Sequence, residues 1–468
     1  MLTSEFKRKF SVSMHKDKKI MLGEMSFYTD FINSNNGDLY PLIFKDESCS
    51  ESVTGNTYQT SDGCSKRLFC QFFPFASYEI EAFVKNGSAG FEFDLCGKKV
   101  SITAGCNMLR YHSEEGTKEV SLGRFASEKV YMIVSCRPGA FDIYFKESKA
   151  PEFFMTFYEK SFDESNVSDV FQNSYALLYA ENCSVLIVQS YIDSGIGIAD
   201  IRPIKYENGE VIYENGKVFF TASIRMHEKA FQGVFSWIPG TSDISMTGAV
   251  FYDCGDSKWR NYVAPTFVYD RMKGMWYVWV SSFEHKHILA YCQFDSDVRY
   301  GVNVLDVSFM TPAGENSRFT DFAGFKGDED PDIYYDEAEK MWYMAICRVN
   351  PETRAYAYVF FKSENPFDGY TYIGRGPDGS ETGGVFVKDN DKMYFVCGNG
   401  TEASCYRIYS KDGMTNATFN HPDGGFRGWG GIFPVKQGTR KRTYWLTFDR
   451  HQGSEYTWSY GNMYCFEL

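Results

Sequence analysis

Three carboxylates, Asp200, Asp330 and Glu381, stand at the openings of three members of a five-fold repeat in this 468-residue chain. The members read ADIRPIKYENGEVIYENGKVFFTAS, APTFVYDRMKGMWYVWVSS, DPDIYYDEAEKMWYMAICR, ETGGVFVKDNDKMYFVCG and WGGIFPVKQGTRKRTYWLTFDR, and they open near residues 200, 264, 330, 381 and 429. If the openings are equivalent in the fold, the three acids converge. Ionised carboxylates brought together repel, so their pKa values separate. One carboxyl held protonated and another held ionised is the pair that cleavage of a glycosidic bond requires.

The elements that position these acids follow from the same repeat. Each member opens on a polar, Pro or Gly residue, runs through strand formers, turns, and ends in an aromatic-rich strand. A further strand pair follows, as in FQGVFSWIPGTSDISMTG and EASCYRIYSKDGMTNATF. Repeats of about 40–50 residues built from short strands mark a β-propeller, whose innermost strands line a central channel. The expectation is a five-bladed β-propeller over residues 194–468, beginning at the Gly-containing joint DSGIGIADI. Upstream, YEIEAFVKNGSAGFEFDLCGKKVSITAG alternates apolar and polar residues between the turns KNGSAG and CGKK. Short strands at this spacing predict a β-sandwich, of the jelly-roll kind, over residues 1–193. The fold class is therefore all-β.

Composition narrows the function. A net charge of −13 argues against nucleic acid, whose phosphates demand a basic surface. An 18 % aromatic content suits twisted strands first and stacking on sugars second. Thirteen Cys without paired spacing point to reduced thiols and a cytoplasmic location. The charged N-terminal residues carry no export signal, and no apolar run is long enough for a membrane span. Seven His include one close pair, His285 and His287, without further Cys or His beside it. No metal and no cofactor are expected.

The order of these elements resembles the five-bladed glycosidases of families 43, 32, 62 and 68, family 43 above all. DEDPDIYYDEAEKMWYM is similar to the family-43 element in which Asp-Pro precedes a strand, an acidic turn and an aromatic strand. SETGGVFVKDNDKMYFVCG looks like the element that carries the general acid, and KSENPFDGYTYIG resembles an outer strand of the superfamily. The sandwich resembles the concanavalin-like jelly rolls. By this resemblance Asp200 is the base or nucleophile, Asp330 holds substrate and raises the pKa of the acid, and Glu381 is the acid. Asp328, Glu329 and Asp332 share the acidic run, and Pro331 picks out Asp330. Arg202, which on a strand shares the face of Asp200, and Trp429, Arg450 and His451 are the expected substrate-binding residues. Asp-Ile-Arg in blade one and Thr-Gly-Gly after Glu381 depart from the family pattern, leaving retention and inversion both open. The implied partner is an oligosaccharide of arabinoside, xyloside or fructoside type; homo-oligomerisation stays open. Competing readings are a carbohydrate-binding protein without catalysis and a phosphorylase on the same fold.

Overall fold

A computed structural model describes residues 7–25, 27, 43–45, 48–147, 150–260, 262–285, 287–310, 327–350, 353–379, 381–389, 391–399, 405–418, 430–448 and 462–468. The chain is all-β, as expected: among the described residues a short α-helix, Val167–Asn173, and three 3₁₀ turns accompany the strands. It divides into two compact units, Lys19–Asp193 with Ser257–Trp259, and Met1–Lys18 with Ser194–Asp256 and Arg260–Leu468. Among the described residues no helix is long and apolar enough to cross a membrane. Twelve cysteines, from Cys49 to Cys465, are free.

The smaller unit consists of two antiparallel sheets of seven and eight strands. Period-two alternation is visible in Ser174–Glu181, where every second residue is fully buried. The inward rings come from both sheets: Phe93 lies 5.0 Å from Tyr78 and 5.2 Å from Phe141, centroid to centroid. These rings account for part of the aromatic excess, and they fill a core.

The larger unit is a propeller of five sheets. Their inner strands are Gly197–Pro203, Val263–Asp270, Glu329–Asp336, Glu381–Asp389 and Gly430–Gln437. Each touches the next, and the fifth touches the first, so the ring closes. The repeat thus maps onto five blades.

One boundary differs from the sequence reading. Lys7–Ser13, placed there in the sandwich, pairs antiparallel with Asn462–Glu467 and forms the outermost strand of blade five. The C-terminal part of the chain supplies three strands to that blade, and their free edge needs a partner. Phe10 then packs edge-on against Trp237 of blade one, at 6.4 Å. Deleting residues 1–13 should lower the melting temperature of the propeller by about 2–4 °C for each kcal/mol of pairing lost. An unchanged melting curve would show that the strand is no latch.

Four inner strands share a defect that matters for function. Pairing slips between Ala199 and Arg202, Val263 and Thr266, Glu329 and Asp332, and Thr382 and Val385. Inside each slip one residue has a left-handed backbone: Asp200 (φ 55°), Ala264 (54°), Asp330 (47°) and Gly383 (63°). For non-glycine residues this conformation costs about 1–3 kcal/mol, and such bulges re-aim side chains beside active sites.

Candidate active site

The bulges define which positions are equivalent, and they revise the sequence register. Asp200 and Asp330 match each other, with Ala264 and Gly383 in the other two bulged blades. Glu381 lies two residues before Gly383 and corresponds to Asp328. The bulge inserts a residue that counting along strand formers does not reveal.

Asp200 keeps its side chain 15 % exposed, with Oδ2 3.5 Å from Nη2 of Arg225. Burial pushes its carboxyl above the usual range. Arg225, the Ser223 hydroxyl and Arg202 pull it down, and the charge of Asp330 pushes it up. Asp330 is fixed more tightly. Its Oδ2 accepts from the Gly383 amide at 2.9 Å and from the Thr382 hydroxyl, while its own amide donates to Ser281 Oγ at 2.9 Å. Blade four therefore holds the carboxylate of blade three.

Arg202 lies beneath them, almost wholly buried. Its Nη1 donates to the carbonyls of Pro331 (3.2 Å) and Gly384 (2.7 Å). Its Nη2 makes no hydrogen bond among the described residues and stands 3.9 Å from Asp330 Oδ1. This burial fits a guanidinium that orients a carboxylate. One layer deeper, Asp332 accepts from Lys205 Nζ at 2.6 Å, from the Thr266 hydroxyl and from the Phe386 amide. This network joins the inner strands of blades two, three and four.

Glu381, the expected acid, is enclosed. Its side chain is fully buried, and its oxygens accept from Arg407 Nη1 (2.6 Å), the Tyr409 hydroxyl and the Tyr358 amide (3.1 Å). A carboxylate with all these donors and no exposed surface ties strands together. In that state it meets no substrate. Trp429, Arg450 and His451 lie outside the described residues.

A different acid emerges beside Asp330. Glu329 is 12 % exposed at its side chain, and its Oε1 sits 3.1 Å from Nδ1 of His287. Burial raises its carboxyl; His287 opposes that, and the charges of Asp330 and Asp200 add to it. Three carboxyl groups thus feel one another.

No family model matches the chain, and no curated protein matches it. Solved structures are similar to part of it. A family-43 β-1,3-galactosidase with galactodeoxynojirimycin is 12 % identical, over 57 % of this chain and 92 % of its own, with a TM-score of 0.38. The catalytic domain of a family-62 α-L-arabinofuranosidase from Coprinopsis cinerea is 10 % identical, over 58 % and 91 %, with a TM-score of 0.38. A mutant levansucrase from B. subtilis is 11 % identical, over 58 % and 83 %, with a TM-score of 0.41. The roles of residues are read from the geometry of this chain.

Sequence reasoning missed Glu329, Arg225 and His287. Glu329 stood in view as a rival of Asp330, but strand alternation sends neighbours to opposite faces. Only the bulge breaks that rule. The sequence set His285 and His287 apart only as a close pair. The two do not share a strand face: His285 ends a 3₁₀ turn and bonds the Tyr262 hydroxyl at 2.7 Å, while His287 bonds Glu329. Among the described residues no cluster of His, Cys, Asp and Glu is disposed to hold a metal ion.

Proposed function

We propose that this protein is a glycoside hydrolase that cleaves terminal glycosidic bonds of oligosaccharides at the bulged inner strands of its propeller. The observation that carries the reading is the match of Asp200 and Asp330. They occupy the same strained bulge on blades one and three, and the charge of one raises the pKa of the other. Asp200, the more loosely held, is the base towards water or the nucleophile towards the anomeric carbon. Asp330, anchored by Thr382 and Gly383, holds its carboxyl where positive charge develops on the sugar. Arabinosides, xylosides and fructosides are the substrate types, and the cytoplasm is the compartment, in keeping with the free thiols.

One observation favours a second reading, a carbohydrate-binding propeller without catalysis: the expected acid Glu381 is sealed behind Arg407 and Tyr409. A panel of nitrophenyl glycosides, assayed with and without phosphate, separates the readings. Release of nitrophenol from at least one sugar, abolished in Asp330→Asn, supports hydrolysis. Release that depends on phosphate supports a phosphorylase. Glycan binding with no release from any sugar leaves the binding protein.

A further inference from the structure

We infer that Glu329, steadied by His287, is the group that protonates the departing sugar oxygen in this site. The inference rests on the glycosidase reading. It begins with elimination among the acids around Asp330. Asp328 is fully buried and paired with Arg348 Nε at 2.6 Å. Asp332 is equally enclosed and paired with Lys205. Glu381 is paired with Arg407. Each of these is tied to a cation, and none reaches solvent. Glu329 differs on both counts, having an exposed edge and an imidazole partner in place of a guanidinium or ammonium.

Placement supports the same assignment. Glu329 directly precedes the bulged residue Asp330, where the slip in pairing interrupts the alternation of faces. Two successive acids can then address one space, from a single strand, opposite Asp200 of blade one. The titratable groups that act on Glu329 or feel its charge are His287, Asp200, Asp330, Tyr356 and Cys347. Besides the imidazole none of these offers it a cation. The charges of Asp200 and Asp330 add to burial in disfavouring a further negative charge at Glu329, which suits a proton donor.

His287 is built to hold that side chain. Its ring packs edge-on against Phe283 at 4.5 Å, and its own backbone is left-handed (φ 53°). Its carbonyl accepts from the Asp328 amide at 2.8 Å. Ring and carbonyl therefore grip two successive residues of the strand that carries the acid. His287 is a positioning residue.

The step balances simply. The proton of Glu329 passes to the glycosidic oxygen as the bond from that oxygen to the anomeric carbon breaks, its electron pair staying on oxygen. In an inverting reaction water attacks the carbon and loses its proton to Asp200; solvent then restores both groups. In a retaining reaction Asp200 attacks first, and Glu329 takes the proton of the water that frees the sugar.

The test compares leaving groups in the full-length protein. Glu329→Gln should slow a substrate with a poor leaving group, such as an alkyl glycoside, by about 10²–10⁴-fold. For a dinitrophenyl glycoside, whose leaving group needs no proton, kcat/KM should be largely spared, and its cleavage shows that the variant is folded. The alkaline limb of the pH profile should vanish in Glu329→Gln. In His287→Asn, which loses the hydrogen bond that favours the ionised acid, that limb should move to higher pH. Equal losses of kcat/KM on both substrates in Glu329→Gln, or a loss of kcat/KM that depends on the leaving group in Glu381→Gln instead, would overturn the assignment while leaving the glycosidase reading intact. A wild-type protein inactive on every glycoside would remove both.

Discussion

Asp200→Asn is expected to lower turnover of any glycoside that the wild type cleaves by about 10²–10⁴-fold, with little change in KM. Asparagine tolerates the left-handed backbone at this position and keeps an acceptor for Ser223, so the fold has no reason to suffer. Only the capacity to take a proton, or to attack carbon, is lost. Asp200→Ala should behave alike, because Ala264 occupies the same bulge in blade two. A base must be ionised, so activity should rise with pH through the elevated pKa of Asp200. Burial is the main cause of that elevation and Arg225 the main restraint on it. Arg225→Met should therefore push the acidic limb of the profile to higher pH. Steady-state kinetics across pH would check both effects. More than a tenth of wild-type turnover in Asp200→Asn would exclude it as base or nucleophile.

This dependence on one bulge shows what could be read in advance and what could not. The five blades were legible because each repeats an aromatic strand and a turn within a few dozen residues, and strand patterning is local. The equivalence of Asp200 and Asp330 was legible because they open matching members of the repeat. Glu381 was misplaced because a bulge sets two residues against one on the neighbouring strand, which shifts the count without changing residue types. Glu329 was hidden for the same reason. The pairing of Lys7–Ser13 with Asn462–Glu467 spans almost the whole chain, and no local pattern encodes a partner so distant. Charges buried in the channel floor were hidden too: Lys205 and Asp332 look like ordinary surface residues until the ring closes around them.

That floor yields the largest effect expected on stability. Lys205 and Asp332 are each about 1 % exposed, and the ammonium lies 2.6 Å from the carboxylate. Lys205→Met leaves Asp332 enclosed without its hydrogen-bonded cation, the Thr266 hydroxyl, the Phe386 amide and the charge of Arg202 remaining. Removing one member of such a pair costs about 3–5 kcal/mol. Asp332→Asn alone strands the ammonium, which burial already pushes towards the neutral form. The double variant Lys205→Met with Asp332→Asn removes both charges and still offers an oxygen to Thr266 and Phe386. Its loss should be clearly smaller than the sum of the two single losses. Denaturation midpoints of the four proteins, followed by a signal from the propeller, measure this coupling. Strict additivity would mean that the two charges do not depend on each other in the folded state. A coupling of the expected size would identify the pair as the pin joining blades two, three and four beneath the acids, so that Asp200→Asn and Lys205→Met should separate cleanly, the first abolishing turnover in a stable protein and the second weakening the fold.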